Sequence, residues 1–225
     1  MPPMATGMVE ALRVLHRTFG AFPARERAHV LARFLTCPYL RVLAAMPAGI
    51  TLDIGAGHGI LARLAAERPG CRVVAVEPDL RRTLRGYRHP GVRFVAGYDD
   101  AVAGAFDAVV MVDVLYKLPC DEWEPLFGRV LARLRPGGSI LLKELDPDRR
   151  FKAAWNRVQE SAANAVSLTL GRTFSYEGRE QVRARLERAG FVRFEARDIG
   201  RGYPHAHVLY MACRPGDPGG KPPAA

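Results

Sequence analysis

A glycine-rich turn between a short strand and a helix start is the feature that most restricts the fold of this chain. Residues 51–62 read TLDIGAGHGILA, in which an apolar strand ends at Ile54 and Gly55, Gly57 and Gly59 form the turn. A turn of this kind brings backbone amides close to a bound ligand at the start of the next helix. The segment therefore predicts a strand–turn–helix unit with a ligand at the turn.

Short β-branched runs alternate with amphipathic helical stretches from about residue 50 onward. This alternation is typical of βαβ units and a parallel sheet with helices on both faces. A helix is predicted from Asp121 to Leu134, with Asp121 as its N-cap and Glu124 three residues later, and another at 177–189. The predicted strands are Ile50–Ile54, Arg72–Glu77, Val92–Val95, Phe106–Val112, Ser139–Glu144, Phe191–Arg197 and Ala206–Cys213.

Three segments stand outside this alternation. Residues 1–48 carry helical spacing and predict an N-terminal helical extension or cap before the domain at 49–213. Within that domain, residues 146–175 are longer than a simple strand–helix connection needs, so they predict a helical insertion over the site. The Pro- and Gly-rich residues 214–225 predict a disordered tail.

Composition limits the function classes. The chain has 225 residues, 48% hydrophobic content and a net charge of +10. It contains no apolar run near the roughly 20 residues that a membrane-spanning helix needs, and no signal-like start, so a cytoplasmic protein is expected. The four cysteines show no metal-binding spacing, and no metal is expected. The basic charge fits RNA or an acidic substrate, but source-genome base composition explains it equally well.

Two acids near the glycine turn indicate the charge of the ligand. Asp53 stands two positions before the first glycine, where a carboxylate repels a pyrophosphate and attracts a ligand with an ammonium and a sulfonium. Glu77 follows the second strand, where an acid can accept hydrogen bonds from both ribose hydroxyls. S-adenosylmethionine carries all of these groups. Asp79 has the simpler interpretation of an acid at a helix start.

Four motifs together resemble the class I S-adenosylmethionine-dependent methyltransferase superfamily. The stretch from 50 to about 145 carries them. They are LDIGAGHG at 52–59, VEPD at 76–79, FDAVV at 106–110 and LRPGGS at 134–139. Three C-terminal segments, FSYE at 174–177, RAGF at 188–191 and HVLY at 207–210, look like those of small bacterial members acting on metabolites. The resemblance implies a Rossmann-like three-layer α/β/α sandwich. Its seven-stranded, mostly parallel sheet would have an antiparallel last strand, inserted between strands five and six.

The resemblance also implies a cofactor site for S-adenosylmethionine and its product S-adenosylhomocysteine. The family usually has Gly-Asp-Ala after strand three, whereas this chain has Gly97-Tyr98-Asp99, so either Asp99 or Tyr98 is expected at the adenine. Asp113 has an alternative interpretation as the cap of the next turn. The predicted cofactor contacts are Asp53, Ile54, Gly55, Ala56, Gly57, Gly59, Glu77, Pro78, Tyr98, Asp99, Asp113 and Val114.

The methyl acceptor is expected at the carboxyl edge of the sheet, where ligands of open α/β sheets bind. His205 and Tyr116 are the candidate catalytic residues, although methyl transfer needs alignment more than a base. For His205 itself, an ordinary packed or surface histidine is the favoured interpretation. Lys143 and Glu144 can also form an ion pair at a strand end. The predicted acceptor contacts are His58, Lys143, Trp155 and Tyr203.

The sequence thus predicts a monomeric or dimeric methyltransferase for a small, partly apolar acceptor. The apolar residues of the predicted insertion favour such an acceptor. The first alternative is an RNA methyltransferase, for which the arginines would cluster at the cofactor mouth. The second is a non-catalytic module that binds the cofactor or its product, for which the acceptor pocket would be closed.

Overall fold

The computed structural model describes residues 7–82, 88–97, 105–146 and 177–216. Its strands are β1 Gly49–Ile54, β2 Cys71–Val76, β3 Val92–Val95, β4 Phe106–Val112, β5 Leu134–Leu145, β6 Val192–Asp198 and β7 His207–Cys213. Its α-helices are α1 Met8–Phe19, α2 Ala24–Thr36, α3 Tyr39–Ala45, α4 Ile60–Ala66, α5 Trp123–Arg133 and α6 Arg179–Arg188. Short 3₁₀ turns lie at Leu80–Arg82, Leu115–Lys117 and Cys120–Glu122.

The strands form one seven-stranded sheet in the order β3-β2-β1-β4-β5-β7-β6. Neighbouring strands from β3 to β5 are parallel, whereas β7 is antiparallel to both β5 and β6. The predicted fold class and the position of the last strand are therefore confirmed. Because Ile54 pairs with both Val76 and Met111, the carboxyl ends of β1, β2 and β4 meet at one edge.

Helices cover both faces of the sheet and create two cores. Helices α1 to α4 pack on one face, against residues such as Val110 and Leu141. Helices α5 and α6 pack on the other face, against residues such as Met111 and Leu142. Alternate residues of the central strands feed opposite cores, as the two-residue period of a strand requires. The result is the three-layer arrangement expected from the sequence.

Two local predictions were wrong. The Asp121 cap does not form, because Cys120–Glu122 is a 3₁₀ turn and α5 begins at Trp123 without a side-chain cap. Strand β5 begins at Leu134 rather than Ser139, since Leu134 already pairs with Phe106. The register then jumps to the pair Ala108 and Ser139, so residues 135–138, which lie between the predicted helix and the predicted strand, form a bulge within the strand.

The N-terminal extension is helical, but its apolar stripes are only partly buried. Phe19, Val30 and Phe34 lie in the core, whereas Leu12 and Leu31 are exposed along a groove between α1 and α2. Tyr98, Asp99, Trp155, nearly all of the predicted insertion and most of the tail lie outside the described residues. The division of the chain into extension, domain, insertion and tail stays a prediction.

Candidate cofactor and acceptor site

The glycine turn joins the ends of β1 and β2. The backbone N–H groups of Gly55 and Ala56 donate to the carbonyl of Val76, at 2.9 and 3.0 Å. Gly55, Gly57 and Gly59 have φ angles of 72°, 58° and 73°. These lie in the left-handed region that residues other than glycine rarely adopt. The turn is thus held against β2 by backbone bonds, and its shape requires glycine.

The three glycines differ in the space around them. A Cβ added at Gly55 would lie 2.6 Å from Cγ2 of Val114, and one at Gly59 would lie 2.5 Å from Cζ of Phe94. A Cβ at Gly57 would meet no atom within 4 Å. Gly55 and Gly59 therefore serve internal packing, whereas Gly57 borders open space in which a ligand can approach the backbone.

Asp53 is a buried acid with an unused oxygen. The residue is 2% exposed, and its Oδ2 accepts no hydrogen bond from the described residues. Burial, followed by the charge of Glu77, raises the pKa of Asp53 to about 7. An orphaned buried carboxyl is costly unless a partner satisfies it. A cationic ligand beside the turn would supply that partner.

Glu77 lies at the end of β2 and is tied to the same turn. Its Oε2 accepts from the N–H of Gly57 at 2.9 Å, and its Oε1 accepts from the N–H of Asp79 at 3.1 Å. A carboxylate keeps further lone pairs after two such bonds, so it can also accept from ligand hydroxyls. The residues present therefore fit a nucleoside that carries positive charge. The carboxylate of Asp79 accepts a hydrogen bond from Arg81 instead, as expected for an acid with a structural role.

At the end of β4, the carboxylate of Asp113 forms ion pairs with two cationic side chains. Its Oδ1 accepts from Nζ of Lys143 at 2.6 Å, and its Oδ2 accepts from the guanidinium of Arg33 on α2. Burial opposes ionisation, but Lys143 and Arg33 together hold the pKa of Asp113 below its usual range. Its φ of 56° is unusual for a residue other than glycine. Two internal ion pairs therefore hold the Asp113 carboxylate, and its predicted contact with the cofactor stays a prediction.

Lys143, a predicted acceptor contact, lies in the interior beside Asp113. Its side chain is only 1% exposed, and its Nζ lies 2.6 Å from Oδ1 of Asp113. It does not pair with Glu144, because successive residues of β5 point to opposite faces of the sheet. The partner of Lys143 is thus an acid 30 residues earlier in the chain rather than Glu144, and its predicted contact with the acceptor stays a prediction.

Glu144 holds the end of β4 from the other face. Its Oε1 accepts from the N–H groups of Val114 and Leu115, at 3.0 and 2.9 Å. Its Oε2 is buried and accepts no hydrogen bond from the described residues. Burial, followed by the charge of Asp113, raises the pKa of Glu144 to about 8. Adjacent residues of β5 thus clamp the turn after β4 from both sides.

The 3₁₀ turn after β4 presents Tyr116 and Lys117. Tyr116, a predicted catalytic residue, is half-buried, and Nζ of Lys117 lies 5.3 Å from the centre of its ring. Burial, followed by repulsion from Arg33, lowers the pKa of Lys117. Neither Lys117 nor Arg33 was predicted from the sequence as a site residue. A signal for Arg33 was present, because it shares the buried stripe of α2 with Val30 and Phe34.

The remaining candidate residues lie at two places. His205 is half-buried with its ring centre 6.1 Å from that of His207, and Tyr203 stacks under Arg41 at 5.2 Å. The ring of His58, in the glycine turn, lies 5.2 Å from that of His29 on α2. Helix α2 therefore reaches both the glycine turn and, through Arg33, the end of β4.

His207 is a structural neighbour of this site. Its Nε2 lies 3.1 Å from the carbonyl of Thr36, and burial followed by Lys143 lowers the pKa of His207 to about 3. In the described parts of the chain, no group of three or more His, Cys, Asp or Glu side chains could hold a metal ion. A search of the same residues found no helix with the length and apolar character of a membrane span.

Comparison with known proteins agrees with the resemblance of the motifs. Residues 19–195 match the family described as "Methyltransferase domain". Acetylserotonin O-methyltransferase of Mus musculus molossinus is 33% identical over 202 residues, which are 80% of this chain and 49% of the relative. Demethylspheroidene O-methyltransferase of Rhodobacter capsulatus is 29% identical over 68% of this chain and 39% of the relative. The chain thus spans less than half the length of these two curated relatives.

Solved structures show the same fold. Human N-acetylserotonin methyltransferase in complex with SAM matches 92% of this chain and 59% of its own, with a TM-score of 0.66 and 20% identity. The 1,6-didemethyltoxoflavin-N1-methyltransferase of Burkholderia thailandensis matches 93% and 91%, with a TM-score of 0.59 and 19% identity. Because the family model covers most of the chain, this protein belongs to the methyltransferase-domain family of class I, S-adenosylmethionine-dependent enzymes.

Proposed function

We propose that this chain binds S-adenosylmethionine and transfers its methyl group to a hydroxyl of a small, partly apolar acceptor, releasing S-adenosylhomocysteine. Asp53 carries the proposal. A buried carboxyl with an unused oxygen, beside a glycine turn and Glu77, suits a nucleoside with positive charge better than one with phosphates. The names of the two curated relatives, both O-methyltransferases, support oxygen as the acceptor atom.

Each residue of the proposed cofactor site would contact a different part of S-adenosylmethionine. When bound, the cofactor supplies a methyl group on a positively charged sulfur. Asp53 would accept from its ammonium and Glu77 from its ribose, while Gly57 lets the backbone approach. The remaining predicted contacts in the described residues, at the turn and beside it, are Ile54, Gly55, Ala56, Gly59, Pro78 and Val114. Asp113 would act by positioning the turn after β4 rather than by touching the cofactor.

On the acceptor side, Tyr116 remains a candidate catalytic residue and His58 a candidate acceptor contact. His205 remains a candidate catalytic residue, and Tyr203 a candidate contact, further along the edge. In-line displacement needs the acceptor oxygen aligned with the methyl group, so positioning is the main task of these residues. The clamp of Lys143 and Glu144 on the turn would serve that task by fixing Tyr116.

The cytoplasm is the proposed location, and a monomer or homodimer the proposed state. None of the four cysteines forms a disulfide, which supports a reducing compartment. The RNA alternative gains no support from the arginines at α6. Arg185 and Arg188 pair with Glu124, and Arg185 also pairs with Glu177. Sedimentation velocity and cell fractionation test the state and location.

Calorimetry with S-adenosylhomocysteine, with NAD as the comparison ligand, tests the cofactor assignment. We expect the first to bind and the second not to bind. Methyl transfer from radiolabelled S-adenosylmethionine to a panel of phenols and hydroxyindoles then tests the reaction. Binding of NAD without binding of the homocysteine product would refute the proposal. Product binding without transfer to any hydroxyl compound would favour the non-catalytic module.

A further inference from the structure

The two N-terminal helices carry most of the exposed apolar side chains in the described residues. Of the six large apolar side chains that are exposed there, five belong to α1 and α2, and the sixth is Val192 on β6. The five are Met8, Val9, Leu12, Leu31 and Leu35, which are between 37% and 63% exposed. Single exposed apolar side chains need no explanation, but a concentration on one surface marks an interaction site.

These five side chains form one continuous surface, the α1–α2 face. Leu12 and Leu31 line the same groove between the two helices. Residues three or four positions apart lie on the same side of a helix, so Met8 and Val9 extend the surface from Leu12 along α1. By the same spacing, Leu35 extends it from Leu31 along α2. The small side chains on this side of α2 are those of Ala24, Ala28 and Ala32, all exposed.

Basic side chains border the α1–α2 face. Four exposed arginines belong to the same two helices, namely Arg13, Arg17, Arg25 and Arg27. Arg27 lines the groove together with His16, and its guanidinium donates to the carbonyl of Gly20 rather than to an acid. The surface therefore combines apolar contact area with positive charge.

The acids near these helices lie away from the apolar side chains. Glu10 pairs with Arg13, and Glu67 pairs with Arg17 from the end of α4. Glu26 is half-buried and lies roughly 140° around α2 from Leu31, because each residue turns an α-helix by about 100°. The positive charge available to a partner thus comes mainly from Arg25 and Arg27. The net charge of the whole chain, +10, acts in the same direction.

This combination favours one kind of partner over two others. A second copy docked symmetrically would place identical arginines against each other, which is unfavourable. A nucleic acid would pair with the arginines but would leave the apolar side chains in water. The surface of an anionic bilayer suits both, because apolar side chains enter the boundary between headgroups and acyl chains while arginines meet the phosphates.

We propose that the α1–α2 face is a peripheral membrane-binding surface for bilayers that contain anionic phospholipids. The exposed sides of both helices would rest on the interface, with Leu12 and Leu31 toward the acyl chains and Arg25 and Arg27 at the phosphates. Binding of this kind needs no helix that crosses the bilayer. The inference goes beyond the proposed function and does not depend on it.

The α1–α2 face is close to the candidate site because both involve α2. Leu31 lies on the outer side of this helix, whereas Arg33 lies roughly 160° away around it and binds Asp113 at the end of β4. The bilayer and the site would thus be separated by about one helix diameter, roughly 10 Å. Membrane contact would therefore bring the site beside the bilayer.

Vesicle sedimentation with the full chain tests the inference. Vesicles of equal parts phosphatidylglycerol and phosphatidylcholine are compared with vesicles of phosphatidylcholine alone. We expect binding to the anionic vesicles at low salt and at least about tenfold weaker binding to the neutral ones, since each arginine near an anionic surface contributes about fivefold. Binding to the anionic vesicles should weaken at about 1 M salt, which shortens the Debye length to about 3 Å.

Two double variants separate apolar contact from charge. Val9→Gln with Leu35→Gln removes the two most exposed apolar side chains of the α1–α2 face and should weaken vesicle binding by about tenfold or more. Arg25→Gln with Arg27→Gln should weaken it by about twentyfold. Val192→Gln is the control for the first variant, because it removes an exposed apolar side chain from β6.

The control for the charge variant is Arg183→Gln with Arg197→Gln. It removes the same amount of charge from exposed positions on α6 and β6, so it separates local charge from the net charge of the chain. Both controls should bind vesicles as the wild type does. Thermal unfolding of every variant shows that it is folded.

A tryptophan placed on the α1–α2 face reports whether the face enters the bilayer. The fluorescence of Leu35→Trp should be quenched by phospholipids brominated on their acyl chains, mixed with phosphatidylglycerol. The wild type should be quenched less, because Trp123 is buried in the core on the other side of the sheet. Equal quenching in the two proteins would contradict insertion of this face.

Four further outcomes overturn the inference. They are absence of binding to anionic vesicles, equal binding to neutral vesicles, full binding by Val9→Gln with Leu35→Gln, and an equal loss in Val192→Gln. Full binding by the apolar variant would indicate an electrostatic contact of the kind that a nucleic acid makes. A dimer that this variant dissociates in sedimentation velocity would make the face an interface between copies instead. Failure to bind S-adenosylhomocysteine would refute the proposed function alone.

Discussion

Asp53 shows how one residue can link a protonation state to ligand binding. A buried acid with a pKa of about 7 is partly protonated at neutral pH. A positively charged ligand would bind the ionised form and displace the proton. The residue is thus costly to the empty protein, and the ligand that it is proposed to bind offsets that cost.

Replacing Asp53 by Asn should weaken binding of S-adenosylhomocysteine by ~1–3 kcal/mol, the range for a charge-assisted hydrogen bond. The amide keeps the size of the side chain and removes its charge. Asp79→Asn is the matched control, because Asp79 bonds Arg81 and should change affinity little. Calorimetry at pH 8 measures both. Equal affinities in the two variants would remove Asp53 from the cofactor site.

The pH dependence of binding gives a second test of the same residue. Affinity for S-adenosylhomocysteine should rise by up to roughly tenfold per pH unit below pH 7 and level off above pH 8, because the ionised carboxyl binds the ammonium. Calorimetry in two buffers of different ionisation enthalpy should detect proton release at pH 6.5. Asp53→Asn should lose both effects. A flat profile in the wild type would contradict the assignment.

At the scale of elements, the turn after β4 depends on the glycine turn and on β5 at once. Val114 packs against Gly55, and its N–H donates to Glu144. Asp113, one residue earlier, is held by Lys143. The glycine turn and β5 therefore fix the turn after β4 and with it the position of Tyr116. A change in any of these three elements should alter the proposed acceptor position.

Gly55→Ala should lower the free energy of unfolding by ~1–3 kcal/mol more than Gly57→Ala does. Both substitutions place a side chain at a positive φ, but only the first meets a neighbouring atom, Cγ2 of Val114, at 2.6 Å. Valine is stiff at this position, so the contact cannot be relieved cheaply. Urea denaturation of the two variants measures the difference, and equal losses would exclude this packing role.

Glu144→Ala should cost ~2–4 kcal/mol of unfolding free energy, because two backbone N–H groups would lose their acceptor in a buried place. Glu144→Gln should cost under about 1 kcal/mol, since its amide oxygen can accept both bonds and the native side chain is largely neutral. Denaturation at pH 7 compares them. A Gln variant as unstable as the Ala variant would show that the acceptor oxygen is not what matters.

Elements were predicted from sequence better than their ends and their contacts. The strands Val92–Val95 and Phe106–Val112 were predicted with their observed bounds, because short runs rich in valine and phenylalanine between turn residues mark strands. The start of β5 was missed because a bulge cannot be distinguished from a turn at Pro136-Gly137-Gly138. In the site, Asp53 and Glu77 follow motifs, whereas Arg33 meets Asp113 across 80 positions, a pairing that no local pattern encodes.

For the whole molecule, two buried carboxyls make stability depend on pH. The folded pKa values of Asp53 and Glu144, about 7 and about 8, exceed their ordinary values of 3.8 and 4.5. The folded state thus holds protons that the unfolded state releases. This contribution to stability is complete below about pH 4 and is lost as the pH rises through 7 and 8.

Unfolding free energy should therefore fall between pH 6.5 and 8, by about 1–3 kcal/mol per pH unit at most. His207 does not mask this fall, since its lowered pKa affects stability only below about pH 6.5. Urea denaturation of the ligand-free protein across this range measures the slope. The double variant Asp53→Asn, Glu144→Gln should be nearly flat, and a wild type whose stability rises with pH would contradict the prediction.

The position of β7 in the sheet affects how the chain can be synthesised. Strand β7 lies between β5 and β6, so β6 joins the sheet only through it. While the ribosome is still making residues 207–213, the apolar edge of β5 has no partner on that side and β6 has none. In this unfinished state the open edge of β5 and the unpaired β6 can pair with other chains, so aggregation is a risk until β7 has left the ribosome and taken its place.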